Sequence, residues 1–129
     1  MADLTLNQGK QFESEGIKRY PALLPSDFFG NRLLKKERIL AIFYADGCPF
    51  CRKISLFLDV LNPGLQYAVY RVDMSDEDNV LWDSFGIEVV PTLIAFDKGK
   101  EFWRANGIPK VGLTIDNFRK ADAILKARS

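Results

Sequence analysis

The sequence predicts an α/β domain built on a central mixed β-sheet flanked by helices, with an N-terminal extension. Three observations carry that reading. Apolar, β-prone runs alternate with helix-like ones between Ile39 and Gly86, the pattern of parallel strands joined by a right-handed crossover. The strand Leu93-Ile94-Ala95-Phe96 meets a turn, Asp97-Lys98-Gly99-Lys100, and returns as Glu101-Phe102-Trp103-Arg104-Ala105, which adds an antiparallel hairpin. Near the end, Ile115, Phe118, Ala121, Ile124 and Leu125 fall at helical spacing and form one apolar face.

The 129 residues fit one domain with one core. We divide them into an extension, residues 1–19, and a domain, residues 20–129. In the extension, Leu4, Leu6, Phe12 and Ile17 line one side of a helix that Gly9 and Gly16 weaken; a partly ordered tail is the alternative. Tyr20-Pro21-Ala22-Leu23-Leu24 reads as a short edge strand, the one sheet position that tolerates Pro21. Ser26 caps an expected helix through Asp27, Phe28, Phe29, Leu33 and Leu34, closed by Lys35-Lys36-Glu37-Arg38.

Ile39 to Ala45 shows no polar alternation and reads as a central strand covered on both faces. A helix is expected from Arg52 to Leu61, ending at Asn62-Pro63-Gly64. Gln66 to Asp73 reads as a second inner strand. Ser75 caps the next expected helix, with Asp76, Glu77 and Asp78 in its first turn, Val80, Leu81 and Phe85 on its apolar face and Gly86 closing it. Asn106-Gly107 ends the returning strand, and Thr114 caps the last helix.

Between the central strand and its helix stand the only two cysteines, in Cys48-Pro49-Phe50-Cys51. Two cysteines three apart at a strand–helix junction form a redox motif. Pro49 suits the first helical position, where its missing N–H is no loss. Cys48 is then expected at the N-cap, facing free backbone N–H groups and the positive end of the helix dipole, with its pKa lowered. Cys51 lies one turn further in and more enclosed. The pair supplies an attacking thiolate, Cys48, and a resolving thiol, Cys51. A structural disulfide is the alternative, but a bridge closing so short a loop removes little chain entropy.

Composition bounds the remaining classes. A formal net charge of +1 lacks the basic excess that a nucleic-acid footprint needs. No run is long enough to span a membrane. The first residues have neither a basic region nor an apolar run, so no signal peptide is expected and the cytoplasm is the default location; a mature exported form that begins with Met-Ala is the alternative. The chain has no histidine, and two thiols cannot complete a zinc site, so no metal and no cofactor is expected. A metal or cluster shared between two chains is the remaining metal reading.

In register, the strand end Phe43-Tyr44-Ala45, Cys48-Pro49-Phe50-Cys51, Val72-Asp73, Gly86-Ile87-Glu88-Val89-Val90-Pro91-Thr92, Phe96 with Gly99, and Gly107 resemble the thioredoxin family from about residue 20 to the C-terminus. The resemblance implies a thioredoxin fold and a cis Val90–Pro91 bond beside the cysteine pair. It also implies a shallow apolar substrate surface of Gly47, Phe50, Val90, Pro91, Gly107 and Ile108. The implied activity is disulfide reduction on protein substrates, with an external reductase or small thiol resetting a monomeric enzyme. A redox-inert interaction module on the same scaffold, and a more oxidising, isomerase-like protein, are the alternatives. Two departures stand out. The Pro-Phe dipeptide is nearer the glutaredoxin pattern. The family's buried aspartate beneath the second cysteine is matched here by Ile42, which leaves Asp46, Asp73 or water as the candidate proton acceptors for Cys51.

Overall fold

The computed structural model describes residues 16–51 and 53–128. A two-strand hairpin, β1 (Phe28–Phe29) and β2 (Arg32–Leu33), precedes a four-stranded sheet of β3 (Ile39–Tyr44), β4 (Ala68–Asp73), β5 (Thr92–Asp97) and β6 (Lys100–Asn106). Among the described residues, helix is seen at 16–18, and the longer helices are α1 (Ile54–Phe57), α2 (Leu81–Ser84) and α3 (Ile115–Ala127). The sheet order is β4-β3-β5-β6. β3 runs parallel to β4 and antiparallel to β5, and β5 and β6 form the expected hairpin. The mixed sheet flanked by helices is as the sequence predicts.

Every residue of β3 is buried. Side chains alternate between the faces of a strand, and here both faces are covered. Leu40, Ile42 and Tyr44 enter one apolar cluster with Ile54, Leu58, Leu93, Phe118, Ala121 and Leu125. Ile39, Ala41 and Phe43 enter the other with Phe28, Leu33, Leu81, Phe85, Ile94 and Phe96. The second cluster is knitted by rings set edge to face. Phe28 and Phe85 have centroids 5.4 Å apart, and Phe85 and Phe96 5.7 Å apart. Such pairs add about 0.5–1.5 kcal/mol beyond area burial.

The register puts one end of the sheet to use. Tyr44 lies opposite Asp73, Phe43 opposite Thr92, and Thr92 opposite Asn106. The segments after β3, after β4, before β5 and after β6 therefore all meet at the same end. They carry the cysteine motif, Ser75, Val90-Pro91 and Gly107.

Several local expectations are corrected. The helix expected from Ser26 is a 3-10 turn, Pro25–Asp27, followed by the β1–β2 hairpin. Gly30-Asn31 makes its two-residue turn, with Gly30 at φ +60°, and Phe28 and Leu33 pair with both side chains inward. The expected Tyr20–Leu24 strand is reduced to one parallel bridge, Ala22 to Arg71, on the outer side of β4. β4 is consequently an edge strand, not an inner one. The helix expected from Ser75 begins only at Leu81, because Asp76 and Asn79 accept the N–H groups of Asp78 and Leu81 at 2.9 Å each and hold the chain in turns. Gly86, at φ +57°, closes that helix as expected. The helix expected over Arg52–Leu61 is one α-turn continued by a 3-10 turn, Leu58–Val60.

At the last helix Thr114 holds the N-cap position, and the Asn117 side chain accepts its N–H at 2.7 Å. Phe118, Ala121 and Leu125 are buried, so the amphipathic face is the one expected. Most of the helix expected in the extension lies outside the described residues; its described end, residues 16–18, is helical. Ile17 is buried in the first cluster, and a Cβ at Gly16 would lie 2.2 Å from that of Ser55, which places this segment directly on α1.

Phe96 is fully buried and touches two other rings. Phe96→Ala is expected to cost about 3–5 kcal/mol of stability. Urea unfolding followed by tryptophan fluorescence would read this as a lower midpoint with an unchanged slope.

Candidate active site

The motif leaves β3 through Ala45-Asp46-Gly47, with Gly47 exposed at φ +78°. This turn is tied to the loop after β4. The Asp46 N–H donates to Ser75 Oγ at 2.9 Å, the Ser75 N–H donates to Asp73 Oδ1 at 2.9 Å, and the Met74 N–H donates to the Tyr44 carbonyl at 2.6 Å. Ser75, expected as a helix cap, thus braces the approach to the cysteines.

The cysteines sit in consecutive three-residue turns. The Cys51 N–H donates to the Cys48 carbonyl and the Ile54 N–H to the Cys51 carbonyl, both at 3.2 Å. The α-helix starts at Ile54 with Lys53 as its N-cap. This corrects the expected placement: Pro49 is not the first helical residue, and Cys48 is not the N-cap. The dipole argument for Cys48 therefore does not apply, and a four-residue helix would supply little dipole in any case. The backbone here bonds back three residues, not four, and enters the α-helical pattern only at Ile54.

Cys48 is half-buried, and its thiol donates to the Val90 carbonyl at 3.7 Å. The Val90–Pro91 bond is cis, as the resemblance implies. Thr92 Oγ1 donates to the Val89 carbonyl at 2.9 Å and fixes the loop from below. Pro91 and Gly107 are both buried. A Cβ at Gly107 would lie 2.5 Å from the Pro91 carbonyl oxygen, so the close approach of β6 to the proline loop requires glycine. Ile108 follows with 57% of its surface exposed.

Cys51 faces the interior and packs on the apolar cluster that holds the fully buried Ile42. Burial pushes its thiol up to about 12, helped by a hydrogen bond with Cys48; the Ala45 backbone pulls the other way, and the charges of Cys48 and Asp46 push upward again. Of the carboxylates considered as proton acceptors, Asp46 makes the Cys51 thiolate harder to form, and Asp73 is engaged by the Ser75 N–H.

The structure therefore gathers Cys48, Val90, Pro91 and Gly107 in one constellation. Phe50 and Ile108 reach it through the loop at 108–112, and Gly47 stays at its exposed rim. Sequence reasoning misses Gly112, whose Cβ, if present, would lie 2.8 Å from that of Phe50. The only local signal is a second glycine five residues after Gly107, in a stretch that reads as a plain connection. Among the described residues no group of three or more His, Cys, Asp or Glu is placed to hold a metal ion, and no helix is long and apolar enough to cross a membrane.

Comparison with known proteins gives consistent matches. The family model described as Thioredoxin matches residues 13–117. Mitochondrial thioredoxin-2 of Schizosaccharomyces pombe is 27% identical over 99 residues, 76% of this chain and 74% of that protein. Thioredoxin of Chlamydia muridarum is 31% identical over 71 residues, 54% of this chain and 69% of that protein. Among solved structures, a point-mutant thioredoxin from Halobacterium salinarum NRC-1 aligns at 26% identity with a TM-score of 0.58, covering 73% of this chain and 79% of that one. Mitochondrial thioredoxin 3 from Saccharomyces cerevisiae, in its oxidised form, aligns at 16% identity and TM-score 0.66 over 84% and 98% of the two chains, a likeness of fold.

The raised Cys51 pKa has a definite sign. The thiol stays protonated at neutral pH, and its thiolate fraction grows tenfold with each pH unit. In a Cys48→Ser variant, which removes the contributions of Cys48 and leaves burial as the cause, alkylation of Cys51 by iodoacetamide is expected to be slow at pH 7 and still climbing above the ordinary thiol value of 9.0. Mass spectrometry of timed samples would read the rate. A plateau beginning near the ordinary value of 9.0 would contradict this description of Cys51.

Proposed function

The chain belongs to the thioredoxin family and so to the thiol–disulfide oxidoreductases in general, and from that premise we propose that it reduces protein disulfides through a reversible Cys48–Cys51 pair. The observation that carries the proposal is the unequal setting of the two thiols. Both are half-buried, but Cys48 lies beside the Val90 carbonyl and the cis proline, while Cys51 packs on the apolar cluster and is driven toward its neutral form.

The chemistry follows from that asymmetry. Cys48, as thiolate, attacks one sulfur of a substrate disulfide. The substrate S–S bond breaks, and the departing thiolate takes up a proton. Cys51 then loses its proton and attacks Cys48 Sγ. The mixed disulfide breaks, the second substrate thiol leaves, and Cys48 and Cys51 are joined. Two electrons have passed from the pair to the substrate. An external dithiol protein or a small thiol returns them. No other cofactor enters, and the reducing cytoplasm is the compartment that fits the cycle. The exposed Ile108, with Phe50, Pro49 and Val90, gives a substrate segment an apolar landing next to Cys48. On this reading the backbone of Val90 pairs with that segment.

A specific observation favours a second reading, a slower and more isomerase-like enzyme. Cys51 is held protonated above an apolar layer containing Ile42, so the mixed disulfide is resolved slowly and has time to rearrange. The reduction potential separates the two. A value near about −270 mV supports the reductase, and one near about −180 mV the isomerase-like protein. Absence of any reversible couple would move the assignment to a redox-inert binding module.

Cys48→Ser is expected to abolish reduction of a disulfide-bonded test protein; retained turnover would overturn the assignment of the nucleophile. Cys51→Ser is expected to accumulate a covalent adduct with that protein, visible as a combined mass that dithiothreitol releases.

A further inference from the structure

The loop from Gly107 to Gly112 touches both halves of the site, and each contact demands a glycine. At its start, a Cβ on Gly107 would lie 2.5 Å from the Pro91 carbonyl oxygen. At its end, a Cβ on Gly112 would lie 2.8 Å from the Cβ of Phe50 and 3.5 Å from its Cγ. The loop between them is closed on itself. The Ile108 N–H donates to the Gly112 carbonyl at 3.0 Å, the Gly112 N–H returns to the Ile108 carbonyl at 2.7 Å, and the Val111 N–H donates to the same carbonyl at 2.9 Å. The next residue, Leu113, is buried in the cluster on which Cys51 packs. A closed loop anchored at both ends acts as a rigid spacer between the proline loop and the dipeptide of the motif.

Building on the redox reading above, we propose that Gly112 is a positioning residue of the Cys48–Cys51 pair. It backs Phe50 and so fixes the turn in which the two sulfurs approach each other. Phe50 lies between the cysteines, and the turn around it is closed by a single hydrogen bond from the Cys51 N–H to the Cys48 carbonyl. A disulfide tolerates only a narrow range of Cα separations and Cβ directions, whereas two thiols tolerate many. A side chain at 112 overpacks a close contact and displaces Phe50. The oxidised form suffers most, and the couple becomes more oxidising.

The test compares Gly112→Ala with Gly64→Ala. Both glycines have positive φ, +79° and +54°, so both substitutions carry backbone strain, but a Cβ at Gly64 meets nothing within 4 Å. Equilibration with glutathione is expected to show Gly112→Ala shifted toward the dithiol by tenfold or more, about 30 mV, with Gly64→Ala within twofold of the unaltered protein. Phe50→Gly in the Gly112→Ala background is expected to return the constant to that of Phe50→Gly alone, because the opposing Cβ is gone. If Gly112→Ala matches Gly64→Ala, the inference is overturned while the redox reading stands. If the unaltered protein has no reversible couple, the reading fails and the inference with it. Should Gly112→Ala not fold, amide NMR of the unaltered protein decides. Oxidation is expected to move the signals of residues 108–112 and leave Gly64 in place, and unmoved loop signals would overturn the proposal.

Discussion

Complete burial of β3 on both faces is the constraint on which the rest of the molecule depends. A strand with six consecutive buried residues cannot stand at an edge or face water, so it needs strands on both sides and covering elements above and below. Alternation along Ile39–Tyr44 divides the apolar residues into two clusters, and each cluster recruits its own cover. One receives α1 and α3. The other receives α2 and the β1–β2 hairpin. The end of this strand is therefore the best-fixed point in the fold, and the cysteine motif begins four residues after it.

The long, strongly patterned segments are legible in the sequence. Ile39–Tyr44 declares itself by its unbroken apolar run, Thr92–Asn106 by two strands about a Lys98-Gly99 turn, and α3 by its helical spacing. The short elements are not. Phe28, Phe29, Leu33 and Leu34 match a helical face as well as a strand pattern, and the Gly30-Asn31 turn that decides between them reads equally well as a weak helix position. Ser75 and the acidic residues after it have the composition of a helix start, but Asp76 and Asn79 commit their side chains to nearby backbone N–H groups. For the site, cysteine spacing and the Val-Pro-Thr segment point to the right chain segments. The local backbone at Cys48 does not follow, because turns closed over three residues replace the helix start that Pro49 suggests.

The site owes its polarity to depth more than to nearby charge. Cys51 is driven toward the neutral form chiefly by burial, and the aliphatic Ile42 lies in the apolar layer it packs on. A carboxylate in that layer would have to be desolvated, a cost that the apolar side chain avoids.

The outer side of β4 carries the Ala22–Arg71 bridge, with the Leu23 N–H donating to the Arg71 carbonyl at 2.8 Å and the Arg71 N–H donating to the Pro21 carbonyl at 2.9 Å. An open strand edge is a template for pairing with another chain and a common route to aggregation. Here the middle of that edge is occupied by the chain's own backbone, residues 21–23. On the function proposed above, a reductase of disulfide-bearing chains gains from this arrangement: the covered part of this edge offers them no strand to join, and contact is left to the loops around the cysteines.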